Sequence, residues 1–215
     1  MKRPRVLMAD DHSLILAGLR KLVENECEVI GTVEDGRSLV EAAQRLRPDL
    51  ILLDISMPLL NGLEAARQLQ ILVPESKLIF LTMHASSTYA TEAFQAGASG
   101  YLLKRSAASE LSLAIRSVLH GQHYLTPLIT KDVLGSVLNP SSGERGTPVP
   151  MALTPRQREV LQLVAEGRGT KAIATALKVS VKTVEFHKSR IMQQLDIHTT
   201  ADLTKYAITH GITSL

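Results

Sequence analysis

A parallel α/β sheet flanked by helices, followed by a small all-helical domain, is the fold class that these 215 residues predict. Three observations point to it. Short apolar runs recur five times up to residue 103, and each gives way to apolar residues at helical spacing. Charged or hydroxyl side chains stand at the ends of four of those runs: Asp10 and Asp11, Asp54, Thr82, and Lys104. Past Asn139 the composition turns to proline, glycine and serine, and only helical patterns follow.

The elements support this in order. Arg5 to Ala9 is a short apolar strand that stops at Asp10-Asp11. Leu14, Ile15, Leu19, Leu22 and Val23 then give one apolar helical face. Cys27 to Val33 reads as a strand, and Gly36 to Leu46 as a helix with Leu39, Val40, Ala43 and Leu46 inward. Asp49 to Gly62, DLILLDISMPLLNG, is the most informative stretch. Its run Leu50-Ile51-Leu52-Leu53 has the length and continuity of a strand covered on both faces. Asp54 ends it, Pro58 cannot continue a ladder, and Asn61 caps a helix running to about Leu72. Lys77 to Thr82, Ser86 to Ala96, Ser99 to Leu103 and Ala107 to His120 supply two further strand–helix units.

Five such units in sequence require a parallel sheet, and right-handed crossovers favour the flavodoxin-like strand order 2-1-3-4-5. In that order strands 1, 3, 4 and 5 are neighbours. The residues at their carboxyl ends therefore converge where open α/β sheets hold ligands. Clustered carboxylates repel one another and invite a hard cation, and Mg²⁺ suits a few carboxylates plus water. With such a cation present, one carboxylate can act as a nucleophile toward phosphorus. Asp54 would become an acyl phosphate, with Thr82 and Lys104 contacting its oxygens.

The Asp-Asp pair at 10–11, D-x-x-M-P-x-x-x-G at 54–62, Leu81-Thr82 and A-G-A-x-G-Y-L-L-K at 96–104 together resemble the receiver domain of two-component response regulators. The resemblance covers about residues 4–121. It implies that Asp54 is the phosphoacceptor, and that Asp10, Asp11, Asp54 and the backbone carbonyl of Ser56 hold Mg²⁺. It also implies that Thr82 and Lys104 contact the phosphoryl group, and that Tyr101 is the aromatic that turns inward when Thr82 moves. Met83 stands where many receivers carry a small residue, so slower access of small donors to Asp54 is expected.

Bulk properties narrow the rest. An apolar content of 45% is enough for buried cores, and no apolar run approaches the roughly 20 residues a membrane helix needs. The basic start, Met1 to Arg5, is followed by only four apolar residues, so no signal peptide is read and a cytoplasmic location is expected. Cys27, the single cysteine, reads as a buried thiol. Residues 1–130 carry 13 Lys+Arg against 14 Asp+Glu, whereas residues 131–215 carry 11 against 7. That excess of base points the second part toward a polyanion.

The expected organisation is a phosphoacceptor domain over 1–125, a helix and tether over 126–150, and a DNA-binding domain over 151–215. Leu128 to Leu138 is helical, and Asn139 to Met151 has the composition of a flexible linker, with the boundary near 145. Thr154-Pro155 starts a helix reaching about Glu166. Thr170 caps a second, short helix. Lys178-Val179-Ser180 turns into a third from Val181 to about Leu195, and a fourth spans Thr200 to Thr209. Two short helices joined by a three-residue turn, the second one basic, fit recognition of a DNA major groove. The motifs L-T-P-R-Q-R-E-V-L at 153–161, K-A-I-A at 171–174, V-S-V-K-T-V-E-F-H at 179–187 and L-D-I-H-T-T-A-D-L at 195–203 resemble the LuxR-type helix-turn-helix of NarL/FixJ response regulators. That resemblance sends the third helix into the groove, with Lys182, Thr183, Glu185, Phe186, Ser189 and Arg190 facing or flanking DNA and Lys188 as a further phosphate contact. It makes the fourth helix the dimerisation element, through Leu203, Tyr206 and Ala207.

The expected function is that of a response-regulator transcription factor, not an enzyme. A partner histidine kinase phosphorylates Asp54, which controls homodimerisation and binding to double-stranded DNA. Two rivals differ in class. An Mg²⁺-dependent aspartyl-phosphate phosphatase would carry a second Asp two residues after its nucleophile, where this chain has Ser56. A phosphorylation-independent adaptor or DNA-binding protein would not need an intact acidic pocket.

Overall fold

The computed structural model describes residues 3–138 and 153–213, with side chains to residue 135 in the first segment. The tether expected over Asn139 to Met151 lies outside the described residues. The first segment runs β1 (Arg5–Ala9), α1 (Ser13–Val23), β2 (Glu28–Val33), α2 (Gly36–Leu46), β3 (Leu50–Leu53), α3 (Gly62–Leu72), β4 (Lys77–Thr82), α4 (Ser87–Gln95), β5 (Gly100–Leu103), α5 (Ala107–Leu119), β6 (Tyr124–Leu125) and α6 (Pro127–Leu138). The second contains α7 (Pro155–Ala165), α8 (Thr170–Leu177), α9 (Val181–Leu195) and α10 (Thr200–Thr209).

All strand pairs are parallel, in the order β2-β1-β3-β4-β5-β6. The first five match the expected 2-1-3-4-5, but the sheet has six strands, not five. The extra strand has two residues, pairing Tyr124 with Gly100 and Leu125 with Tyr101. Two residues are too few to show a period, so no pattern in the sequence announces it.

Strand alternation divides the core in two. Val6, Met8, Leu50, Leu52, Ile79, Leu81 and Leu102 face α1 and α5, while Leu7, Ile51, Leu53, Leu78, Phe80, Tyr101 and Leu103 face α2, α3 and α4. Both faces of the central strands are buried, which is why they read as unbroken apolar runs. On α1 the buried stripe is Leu16, Leu19 and Val23, and Leu14 is 85% exposed with Leu22 also in solvent. The expected stripe was therefore rotated: Leu14 stands roughly 200° around the helix from Leu16, so one face cannot hold both. Leu128 and Leu134 of α6 are likewise exposed, and Ile129 is the residue that enters the core. Cys27 is buried as expected, and burial pushes its thiol up to about 11, so it stays protonated at neutral pH.

Helix starts follow local chemistry. Asn61 accepts from the Glu64 amide at α3, and Thr154 with Gln157 forms a capping box at α7, each cap contributing about 1 kcal/mol. At α8 the cap is Gly169, and Thr170 is the first helical residue instead of the cap. The four helices of the second segment enclose their own core of Leu161, Leu163, Ile173, Val184, Ile191 and Ala207, among others.

Candidate functional site

Parallel pairing brings the carboxyl ends of β1, β3, β4 and β5 to one edge of the sheet. Asp10 follows β1, and its amide donates to the Val33 carbonyl. The Asp54 amide donates to the Ala9 carbonyl, which fixes the end of β3 against β1. Thr82 ends β4, opposite Leu103 on β5, and Lys104 comes next in the chain. Four of the residues singled out in the sequence thus come together, all nearly sealed: Asp10 and Asp54 are 1% and 4% exposed, Thr82 0%, and the Lys104 side chain 6%.

Lys104 organises the group. Its Nζ lies 2.6 Å from Asp10 Oδ2 and 2.7 Å from Asp54 Oδ2, one ammonium between two carboxylates. Burial is the strongest single influence on Lys104 and opposes its charge. The bonds and attraction of Asp10 and Asp54 outweigh it and raise the pKa above the ordinary lysine value. The other Asp54 oxygen, Oδ1, accepts from the Ile55 amide at 2.7 Å. Both oxygens of Asp54 are thus held in place.

Asp11 is more open, and its Oδ1 lies 2.8 Å from His12 Nδ1. The ligand atoms of Asp10, Asp11 and His12 lie within 4.8 Å of one another, and the two carboxylates among them suit a hard cation. His12 had no signal in the sequence beyond its place after the Asp pair. The side chain of Ser56 bonds His84, Oγ to Nε2, at 2.9 Å.

His84 is the second residue the sequence did not single out. It lies two positions past Thr82, whose Oγ1 accepts from the His84 amide at 3.3 Å. Its ring stacks on Tyr89 with centroids 4.3 Å apart, and burial depresses its pKa, so it is neutral at pH 7. Tyr101 is fully buried, and its hydroxyl donates to the His84 carbonyl at 2.8 Å. The aromatic expected to turn inward is inward here. Met83, by contrast, is 70% exposed, with most of its side chain in solvent.

The second candidate site is the outer face of α9. At 100° per residue, Lys182, Glu185, Phe186, Ser189 and Arg190 share an arc of roughly 140°. All five are exposed, and the Arg190 guanidinium lies 5.7 Å from the Phe186 ring centroid. Thr183 and Lys188 flank that arc and are already engaged. Thr183 bonds the cap Ser180 through its amide and hydroxyl, and Lys188 Nζ donates to Thr200 Oγ1 at 2.9 Å. An open groove of about 510 Å³ runs beside the face, between Glu185, Lys188, Met192 and Ile197. Leu203 and Ala207, expected at a dimer contact, both point inward. Both are buried in this domain's own core, and Tyr206 is half-buried with its ring stacked on His210. An apolar stripe on a short terminal helix is needed first to close its own bundle.

Residues 6–116 match the model of the response regulator receiver domain, and residues 151–207 match that of bacterial regulatory proteins of the luxR family. The chain is 35% identical to the transcriptional regulatory protein MctR of Rhizobium johnstonii, over 98% of this chain and 95% of that protein. It is also 35% identical to the oxygen regulatory protein NreC of Staphylococcus aureus, over 95% of this chain and 96% of the other. Among solved structures it is similar to the RcsB response regulator of Salmonella typhimurium, with 26% identity, a TM-score of 0.64, and 96% and 97% of the two chains covered. It is also similar to RcsB in complex with DNA, with 25% identity, a TM-score of 0.59, and 95% and 98% covered. With both family models matched in order along it and these relatives covered over nearly their whole length, the chain belongs to the response regulators that join a receiver domain to a LuxR-type DNA-binding domain, as a DNA-binding transcription factor and not an enzyme.

Proposed function

We propose that Asp54 accepts a phosphoryl group from a partner histidine kinase, and that its phosphorylation controls homodimerisation and sequence-specific binding of double-stranded DNA through α9. The observation that carries this reading is the Lys104 bridge between Asp10 and Asp54, which joins the carboxyl ends of β1, β3 and β5. A carboxylate with one oxygen on an amide and the other on an ammonium is a positioned nucleophile. In the transfer, an Asp54 oxygen forms the new bond to phosphorus as the bond from phosphorus to the donor nitrogen breaks. Lys104 and the Thr82 hydroxyl then meet the phosphoryl oxygens. Asp10, Asp11 and Asp54, with the Ser56 carbonyl, would hold Mg²⁺, which when bound neutralises charge on those oxygens. The Asp10–Asp11 donor atoms fit such an ion in kind and closeness. Domains over 1–125 and 151–215, with a connection over 126–150, divide the two tasks.

On α9, Lys182 and Arg190 supply phosphate contacts, and Glu185, Phe186 and Ser189 lie where base edges are read. Thr183 orders the start of the helix, and Lys188 reaches the backbone from its flank. Among the described residues no helix is long and apolar enough to cross a membrane. Binding of double-stranded DNA supports a cytoplasmic location. The test is selection from random duplexes with the full chain, untreated and treated with a phosphodonor and Mg²⁺, with mass in solution measured alongside. Enrichment of one motif and a shift to dimer on treatment are expected. Identical pools and an unchanged mass would refute control by phosphorylation.

A further inference from the structure

His12 has no part in the function proposed above, yet its side chain stands against the acidic pair. It occupies the N-cap of α1, where Ser, Thr, Asp and Asn are preferred because their oxygens bond the first helical amides. Its side chain makes no such bond. The imidazole turns back instead, with Nδ1 2.8 Å from Asp11 Oδ1 and 3.3 Å from Asp10 Oδ1. The side chain is 63% exposed, and an ion pair this open to solvent adds little to stability. Neither the helix start nor the fold therefore needs an imidazole at this place.

The spacing is that of ligands. Neighbouring donors of an octahedral ion bound at about 2.1 Å stand roughly 3 Å apart. The separations of 2.8 and 3.3 Å lie on either side of that value. Among the described residues, Asp10, Asp11 and His12 are the group of three His, Cys, Asp or Glu donors that comes within 4.8 Å, so its third member is the imidazole and not Asp54. Asp10 can serve an ion there without leaving the pocket. Its Oδ2 stays on Lys104 at 2.6 Å, while Oδ1 faces the imidazole and accepts the His12 amide at 3.0 Å. Asp10 is 1% exposed and the Asp11 side chain 32%, so the open approach to the group is from the Asp11 and His12 side.

We propose that His12 is a metal ligand, and that with Asp10 and Asp11 it makes the cation site favour borderline first-row divalent ions, such as Ni²⁺, over Mg²⁺. The proposal rests on the reading that Asp10 and Asp11 hold the cation. Donor chemistry decides which ion gains. Mg²⁺ takes oxygen ligands and keeps several waters, so water can stand where the imidazole would and the harder ion gains nothing from the nitrogen. An imidazole suits Ni²⁺ and its neighbours, for which nitrogen is a better donor than water. The gain of the softer ion is thus carried by one side chain that has no part in phosphoryl transfer. Which ion the site holds then depends on the divalent ions supplied, and not on Mg²⁺ alone.

The test is calorimetric titration of the untagged full chain with Ni²⁺ and, separately, with Mg²⁺, joined to proton NMR of the Ni²⁺ form. The proteins are wild type, His12→Ala, His12→Asn and Asp11→Ala. His12→Asn supplies a favoured helix cap and only an oxygen donor, so it remains informative if the alanine variant is poorly folded. Wild type is expected to show an imidazole resonance shifted far outside the ordinary range by the paramagnetic ion, and both His12 variants to lack it. Losing an outer-shell partner costs about 10–100-fold in metal affinity, so both His12 variants should bind Ni²⁺ at least roughly tenfold more weakly, with Mg²⁺ affinity within about twofold of wild type. Ni²⁺ affinity that is unchanged, or that falls only in step with Mg²⁺, overturns the ligand role of His12 alone. Wild-type affinity for both ions in Asp11→Ala overturns the cation site as well.

Discussion

The pocket around Asp54 and the outer face of α9 are both clusters of charged and polar side chains, but they are built in opposite ways. In the pocket, Asp10, Asp54, Thr82 and Lys104 are nearly inaccessible, and the charged groups bond one another. On α9, Lys182, Glu185, Ser189 and Arg190 stand in solvent, and the contact within the face is Arg190 on Phe186. In the proposed function the pocket works on a group a few atoms across, so its dipoles must be aimed beforehand, where low dielectric makes them strong. The helix meets a polymer many times its size, and its side chains keep their bonding capacity for that partner. Changes in the pocket should therefore appear in the protein alone, and changes on α9 only when DNA is present.

The largest effect expected is for Lys104→Ala. It leaves Asp10 and Asp54 buried without their ammonium, and breaking such a pair costs about 3–5 kcal/mol. Urea unfolding should show that loss, with part of it recovered on adding Mg²⁺. Unchanged stability would mean the pocket is less closed than its exposure indicates. The same pair has a defined pH window. Because the Lys104 pKa is raised in the folded state, its stabilisation is complete below the ordinary value of 10.5 and is lost as pH climbs through the raised one.

Glu185→Ala should leave unfolding within about 0.5 kcal/mol of wild type, as an exposed position does. If Glu185 reads a base, the variant changes discrimination at one base pair by about 1–3 kcal/mol. An unchanged selected motif would remove Glu185 from the readers. Lys182→Ala should weaken all duplexes alike and lower the salt slope by about one unit. Lys182 is a cleaner probe than Lys188, whose ammonium already bonds Thr200. The smallest effect is expected at Met83. Lying largely in solvent, it should change the rate of phosphorylation by small donors by less than about twofold when replaced by alanine, a small fraction of 1.4 kcal/mol. A larger acceleration would restore the barrier that its size suggested.

How much could be read in the sequence follows the same division. Strand ends announce pocket residues because an unbroken apolar run must stop somewhere, and Asp54, Thr82 and Lys104 are where three of them stop. Bonds within the pocket carry no such signal: nothing in the chain tells that Lys104 spans two carboxylates or that Ser56 bonds His84. The α9 positions were legible through family resemblance, since exposed side chains have no packing to betray them. Helix faces are less legible where apolar residues wrap around, as on α1, where Leu14 and Leu22 are exposed. The packing of Gln162 and Glu166 against the loop after Asp54, where they bond Met57, Leu59 and Asn61, was not legible. Gln162 and Glu166 look like ordinary polar residues on an amphipathic helix, and only tertiary contact 100 residues away in sequence gives them acceptors and donors.

Phosphoryl transfer to Asp54 is tested most directly by intact mass after incubation with a small phosphodonor and Mg²⁺, for wild type and Asp54→Ala. One phosphoryl adduct on wild type and none on the variant is the predicted result. An adduct that persists on Asp54→Ala, at the wild-type level and rate, would contradict it and place the acceptor elsewhere in the chain.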